Sequence, residues 1–242
     1  MTSDPHVVGL TVLVLFLASI ARSTFGFGDA LLAMPPLAML LGARAAVPLV
    51  AVAIVIPGIV IPWRDRQHVI WREAGALTLG SIPGLVLGVL VLRRADDTTV
   101  RWLVGGATVT YAVWALLLRR AEMRAGERWV WVFGFLSGLF GGAATTGGPP
   151  AVIYASLRGW PPAVARATLQ AFYLFLCFAV VVGHVLSGLW KEHPPILVLW
   201  GAPAIVLGVL IGERLHRRLD PARFWSALHA ILLALGLALL LT

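Results

Sequence analysis

Few side chains in this sequence can do chemistry, and most of them stand beside glycines. Arg22 and Asp29 lie seven residues apart on either side of "GFG", residues 26 to 28. Asp29 heads an apolar run. An ionisable group inside a membrane is a functional residue by default, so Asp29 is a candidate proton-coupling group. Its plainer role would be to N-cap a helix starting at Ala30. Arg22 could hold an anion, pair with Asp29, or snorkel to an interface. It shares a helix face with Asp29 only if one helix continues through the glycines. Thr145 and Thr146 offer hydroxyls just ahead of Gly147, Gly148, Pro149 and Pro150. Arg166 and Gln170 are one helical turn apart, with Thr168 on another face. Gln170 could donate to an oxyanion or make an ordinary interhelical hydrogen bond. His184 and His229 could shuttle protons or be neutral, hydrogen-bonded residues. Tyr154 reads as a packing or interface tyrosine. The single cysteine, Cys177, reads as a small buried hydrophobe.

None of these residues has metal-ligand spacing, and H-E-x-x-H, G-x-S-x-G and Walker A patterns are absent from the sequence. An enzyme is therefore not expected, and no cofactor or metal is implied. What remains is binding chemistry. "GFGDALLAMPPLAMLLG" (26–42) resembles "FGGAATTGGPPAVIYAS" (140–156), and the two Pro-Pro pairs align without a gap. Glycine permits positive φ and close backbone approach. Pro149 suits the first turn of a new helix. The N-terminus of a helix carries roughly half a positive charge and binds anions. Two such ends facing each other would form an anion cradle without a fixed lysine. The substrate-binding candidates are Arg22, Gly26, Phe27, Gly28, Asp29, Thr145, Thr146, Gly147, Gly148 and Gln170.

The elements that must position these residues are apolar. Of 242 residues, 60% are hydrophobic and 12% charged, with mean hydropathy +0.91, about half the charge of a soluble domain. Runs 45–63, 74–92, 167–190 and 224–242 each approach the ~20 residues that span a bilayer. Residues 6–25 read as a retained first helix, since no basic segment precedes them. The net charge of +8 comes from short loops and marks topology, not nucleic-acid binding. The ten tryptophans cluster at run ends, as an interfacial belt does.

The chain also repeats itself. "PGLVLGVLVLRR" (83–94) matches "PAIVLGVLIGER" (203–214). The halves are 1–118 and 129–242, joined by a charged linker at 119–128. Each half reads as five elements: 6–25, 29–41, 45–63, 74–92 and 100–118, then 129–145, 149–158, 162–187, 196–212 and 223–242. If each short second element helps complete a crossing, loops 64–72, 119–128, 158–166 and 213–223 share one side and hold most of the arginines. That bias favours inverted repeats with both termini outside. Gly80, Gly84 and Gly88, with Gly208 and Gly212, are small-xxx-small rows. They serve contacts within the protomer or a possible homodimer.

On the two Gly/Pro segments and the matched "VLGVL" ends, the chain resembles the sulfite exporter TauE/SafE family of bacterial membrane permeases over essentially its whole length. The resemblance implies an all-α polytopic protein of the inner membrane. It further implies transport of small sulfur oxyanions or organosulfonates, such as sulfite or sulfoacetate. Asp29 departs from the glycine-rich pattern that the resemblance leads one to expect. A carboxylate beside an anion cradle must be protonated or paired. A transporter working by alternating access and a passive anion channel on the same fold are both compatible with these features.

Overall fold

The computed structural model describes residues 5–60, 66–118, 125–192, 196–216 and 232–241. Its helices are α1 (Pro5–Phe25), α2 (Asp29–Leu41), α3 (Ala43–Ala53), α4 (Val55–Val60), α5 (Trp71–Arg94), α6 (Asp97–Val113), α7 (Trp129–Ala144), α8 (Gly148–Leu157), α9 (Pro162–Leu186), α10 (Leu189–Glu192) and α11 (Leu197–His216). A last helix, α12, covers Leu232–Leu241. No strand occurs among the described residues. Pro5–Thr24, Trp71–Arg94, Pro162–Leu186 and Leu197–Leu215 are long and apolar enough to cross a membrane. Their outward faces are apolar too: Leu79, Ile82 and Val86 of α5, Phe178 of α9 and Leu199 of α11 are exposed. A soluble protein would not leave such faces bare. The chain is an all-helical, multi-pass membrane protein.

Most expected elements form within a few residues of their predicted ends, and the departures have local causes. Up to Val60, where the described residues end, segment 45–63 is two helices, α3 and α4, interrupted at Ile54. Helix α6 starts at Asp97, three residues early, because the Asp96 carboxylate accepts the Thr99 N–H at 3.0 Å and caps it. It ends in a π-turn at Trp114–Leu118. Of the linker 119–128, only 125–128 lie within the described residues, and Ala125 bonds back to the Leu157 carbonyl at 3.0 Å. His229 lies outside the described residues.

The glycine rows are consumed inside the chain. A Cβ on Gly84 would lie 2.0 Å from the Phe135 carbonyl oxygen, and one on Gly138 would lie 1.9 Å from that of Ser81. Helices α5 and α7 therefore touch backbone to backbone. Helices α1 and α11 do the same, where Gly208 and Gly212 would place a Cβ 2.7 and 2.6 Å from the Phe16 and Ile20 carbonyl oxygens. Ser23 adds a hydroxyl bond to the Val209 carbonyl at 2.8 Å. Small residues are the usual means of such approach in membranes, where lipid supplies no hydrophobic drive for helix association. With these rows buried, they no longer argue for a homodimer.

The Pro-Pro pairs do not hold equivalent places. Pro149 and Pro150 are in the first turn of α8, whereas Pro35 and Pro36 lie inside α2, beyond its first turn. The gapless alignment matches prolines but not helix starts. Trp71, Trp102 and Trp129 are all more than half exposed, close to helix starts.

Candidate functional site

Both expected helix breaks occur. The first separates α1 from α2, with Gly26 at φ 87° and Gly28 at φ 98°, a region closed to most side chains. The second separates α7 from α8, and there Thr145 itself takes φ 56°. A β-branched residue in this conformation is strained, and such strain gathers at functional sites. Thr145 is held by its N–H to the Gly141 carbonyl (2.9 Å) and its hydroxyl to the Val47 carbonyl (3.1 Å).

The two breaks border one cavity of about 40 Å³, a few times the ~10–15 Å³ a single water needs. Eight of the ten predicted residues line it: Arg22, Phe27, Gly28, Asp29, Thr145, Thr146, Gly147 and Gly148. The other two stand behind its wall. The Gln170 amide donates to the Gly26 carbonyl at 2.6 Å, while its oxygen accepts Arg22 Nη2 at 3.3 Å. Gln170 is thus an interhelical brace, and both ends of its amide are engaged.

Arg22 does not snorkel. It is 2% exposed, and its Nη1 donates to Asp29 Oδ2 at 2.8 Å. Nor does Asp29 cap α2: the helix begins at Asp29 itself, after Gly28, with no side-chain cap. The carboxylate turns to Arg22 because two charges taken from water demand each other more than a backbone N–H demands a cap. The glycine break lets them meet although they sit on different helices. The paired state is one of the two that the sequence requires of Asp29.

Some carbonyls near the ends of the upstream helices are engaged. In α1, Arg166 Nη2 reaches the Ser23 oxygen at 3.3 Å, and Gly26 N–H takes that of Arg22 at 2.6 Å. In α7, Thr146 N–H takes the Phe140 carbonyl (3.2 Å) and His184 Nε2 lies 3.0 Å from that of Gly142. The N-terminal ends of α2 and α8 border the cavity together with Gly141 and Thr145 at the end of α7, and the first N–H groups of a helix have no partner within it. Pro149 and Pro150 remove two donors from α8, so Gly148 and the neighbouring hydroxyls carry its end. Thr146 is fully buried and lines the cavity, and its hydroxyl has no partner; Arg22 Nε is likewise unpartnered.

Helix α9 contributes residues that sequence reasoning did not assign to the site. Tyr173, Leu176, Cys177 and Val180 line the cavity, with Ile54 opposite. Arg22 sits 5.9 Å over the Tyr173 ring, whose hydroxyl donates to the Gly148 carbonyl at 3.0 Å. Gln170, Tyr173, Cys177 and Val180 recur at helical spacing on one face, a stripe that could have been read from the sequence. The remaining candidates fall elsewhere. Thr168 accepts the Ile70 N–H at 3.0 Å, and Tyr154 is a buried packing residue whose hydroxyl donates to Glu73 Oε2 at 2.8 Å. No cluster of three metal-ligating side chains exists among the described residues.

The chain is similar in sequence to membrane transporters. A probable sulfite/organosulfonate exporter TauE of Cupriavidus necator is 27% identical over 214 residues, covering 87% of this chain and 81% of its own. A probable inner membrane transporter protein TsaS of Comamonas testosteroni is 27% identical over 177 residues, covering 72% and 73%. No solved structure matches. The family model described as sulfite exporter TauE/SafE matches residues 11–239. The chain belongs to the TauE/SafE family of membrane transporters.

Proposed function

We propose that this chain is a secondary permease of the bacterial inner membrane for small sulfur oxyanions or organosulfonates, such as sulfite or sulfoacetate. The observation that carries the proposal is the cavity. Two helix N-termini, the buried guanidinium of Arg22 and the unpartnered hydroxyl of Thr146 meet in one small space. Each is a donor, and their dipoles favour negative charge.

Transport works by alternating access between two inverted halves, 1–118 and 129–242, joined at 119–128. The reciprocal packing of α1 on α11 and of α7 on α5 supports this arrangement, since each half lends its first helix to the other. Asp29 is the one carboxylate lining the cavity among the described residues and is the candidate for proton coupling, because its protonation would release Arg22 to the substrate. A site this small favours a carrier over the passive anion channel that the same fold could form.

A thermal-unfolding panel of sulfite, sulfate, thiosulfate, taurine, sulfoacetate, acetate and chloride tests the substrate class. Ligands that bind only the folded state raise its stability with concentration. A shift for sulfur oxyanions that is lost in Thr146→Val supports the cavity as the site. A shift for a cation or a neutral metabolite alone rejects it. In proteoliposomes, counterflow of labelled substrate separates carrier from channel, and loss of pH dependence in Asp29→Asn identifies the coupling group.

A further inference from the structure

We propose that α9 holds both helix breaks and couples them, with Gln170 and Tyr173 as positioning residues for the anion site. The inference rests on the cavity being that site, as proposed above. A broken helix leaves main-chain carbonyls that no N–H of its own helix reaches, and inside a bilayer no water meets them. Helix α9 brings partners to both breaks. At the first, Arg166 Nη2 donates to the Ser23 carbonyl at 3.3 Å and Gln170 Nε2 to that of Gly26 at 2.6 Å. At the second, the Tyr173 hydroxyl donates to the Gly148 carbonyl at 3.0 Å, and His184 Nε2 lies 3.0 Å from that of Gly142. Positions 166, 170, 173 and 184 share one face of α9, because the steps between them are about one, one and three helical turns. Glycines let this face come close. A Cβ on Gly26 would lie 2.9 Å from Arg166 Cγ, and one on Gly147 would lie 3.0 Å from Leu176 Cδ2.

These contacts are not independent, because Arg22 joins them. Its Nη2 donates to the Gln170 oxygen at 3.3 Å, its guanidinium lies 5.9 Å over the Tyr173 ring, and its Nη1 holds Asp29 at 2.8 Å. A continuous buried path therefore runs from Gly26 through Gln170, Arg22 and Tyr173 to Gly148. Chains of this kind, packed and hydrogen-bonded, carry coupling between sites. If Gln170 lets go of Gly26, Arg22 loses its second acceptor and shifts from the Tyr173 ring, and Tyr173 shifts from Gly148. The two breaks loosen together. Gln170 stands behind the cavity wall and Tyr173 spends its hydroxyl on Gly148, so both act through the groups they hold. Arg22 and the first turns of α2 and α8 face an anion in register only while α9 keeps them there.

The test is amide hydrogen exchange of the full chain in mixed micelles without ligand, read by mass spectrometry. Segments 20–32 and 143–152 report the two breaks, and segment 77–92 of α5 is the control. Gln170→Met removes both ends of the amide. Tyr173→Phe removes one hydroxyl and keeps the ring. Each variant should speed exchange about fivefold at both breaks and leave the control unchanged. Faster exchange only at the break that the altered side chain touches overturns the coupling. Unchanged exchange at both breaks overturns the hold of α9. Faster exchange in the control as well assigns the two residues to general packing and overturns the proposal. If Gln170→Met fails to fold, Tyr173→Phe still decides the matter. Sulfoacetate titrated against the thermal midpoint gives a second readout, and both variants should bind it about tenfold more weakly. Loosened breaks with undiminished affinity overturn the positioning role. If the unmodified chain binds no anion, the anion-permease function fails and the positioning role with it, while the exchange data still decide whether α9 couples the breaks.

Discussion

Two glycines on one helix should respond oppositely to the same substitution. Gly84 and Gly75 both lie in α5. A Cβ at Gly84 would sit 2.0 Å from the Phe135 carbonyl oxygen and 2.9 Å from the Leu139 nitrogen. Ordinary contact begins at 3.4 Å, so the first pair is 1.4 Å too close, and the obstruction is backbone that no rotamer change can move. Helix α7 must retreat along the whole stripe, where Gly80, Gly88, Gly134, Gly138 and Gly142 also meet backbone. A gap of 0.5–1 Å already forfeits a quarter to a half of each dispersion contact. Overpacking of this kind costs about 1–3 kcal/mol, and rigid neighbours place Gly84→Ala near the top of that range. Alanine recovers about 1 kcal/mol of helix propensity, leaving a net loss of about 2 kcal/mol. A Cβ at Gly75 meets nothing within 4 Å. Gly75→Ala therefore keeps only the propensity gain, about 0.5–1 kcal/mol of stabilisation. The assay is equilibrium unfolding in mixed micelles, read by circular dichroism. Equal stabilities for the two variants, or a stabilised Gly84→Ala, would refute the backbone contact between α5 and α7.

Thr146→Val should raise stability while it abolishes anion-dependent stabilisation, because it removes a buried hydroxyl whose unmet bond costs about 1–3 kcal/mol. A variant that loses stability in the absence of ligand would mean that the hydroxyl has a structural partner. Asp96 lies outside the spanning helices, and the hydroxyl and N–H of Thr99 lower its carboxyl below the usual range. A carboxylate with a depressed folded value stabilises the fold above its unfolded value and loses that contribution as pH falls through the folded one. The stability difference between the unmodified chain and Asp96→Asn should therefore be present at neutral pH and close below about pH 4. A gap that widens in acid would contradict the cap.

Helix α1 pairs with α11, and α5 with α7, backbone to backbone. The glycine rows that make those pairings were visible as spacing, but spacing does not say which surface a row meets. A Gly-x-x-x-Gly stripe fits a neighbouring helix of the same chain or of another copy equally well. The partner is chosen by where the loops bring each helix, and here that is inside the chain.

The site was partly legible for the same reason. Composition showed a membrane protein, because a bilayer allows few charges and demands long apolar runs. The two glycine-rich breaks showed where helices stop, because glycine and proline act on the local backbone. Eight of the ten proposed residues line one cavity, since residues that flank a break are carried to it together. Three features needed the folded chain. Arg22 meets Asp29 across a break whose geometry no spacing rule describes. Gln170 spends both ends of its amide on Gly26 and Arg22, where the sequence allowed a ligand contact. Tyr173 and Cys177 lie on a stripe whose spacing was legible, but that the stripe joins the wall follows only from α9 presenting that face to the breaks. Local backbone chemistry is written in the sequence; which helix faces which, and so which buried charge finds which partner, is decided only when the helices pack.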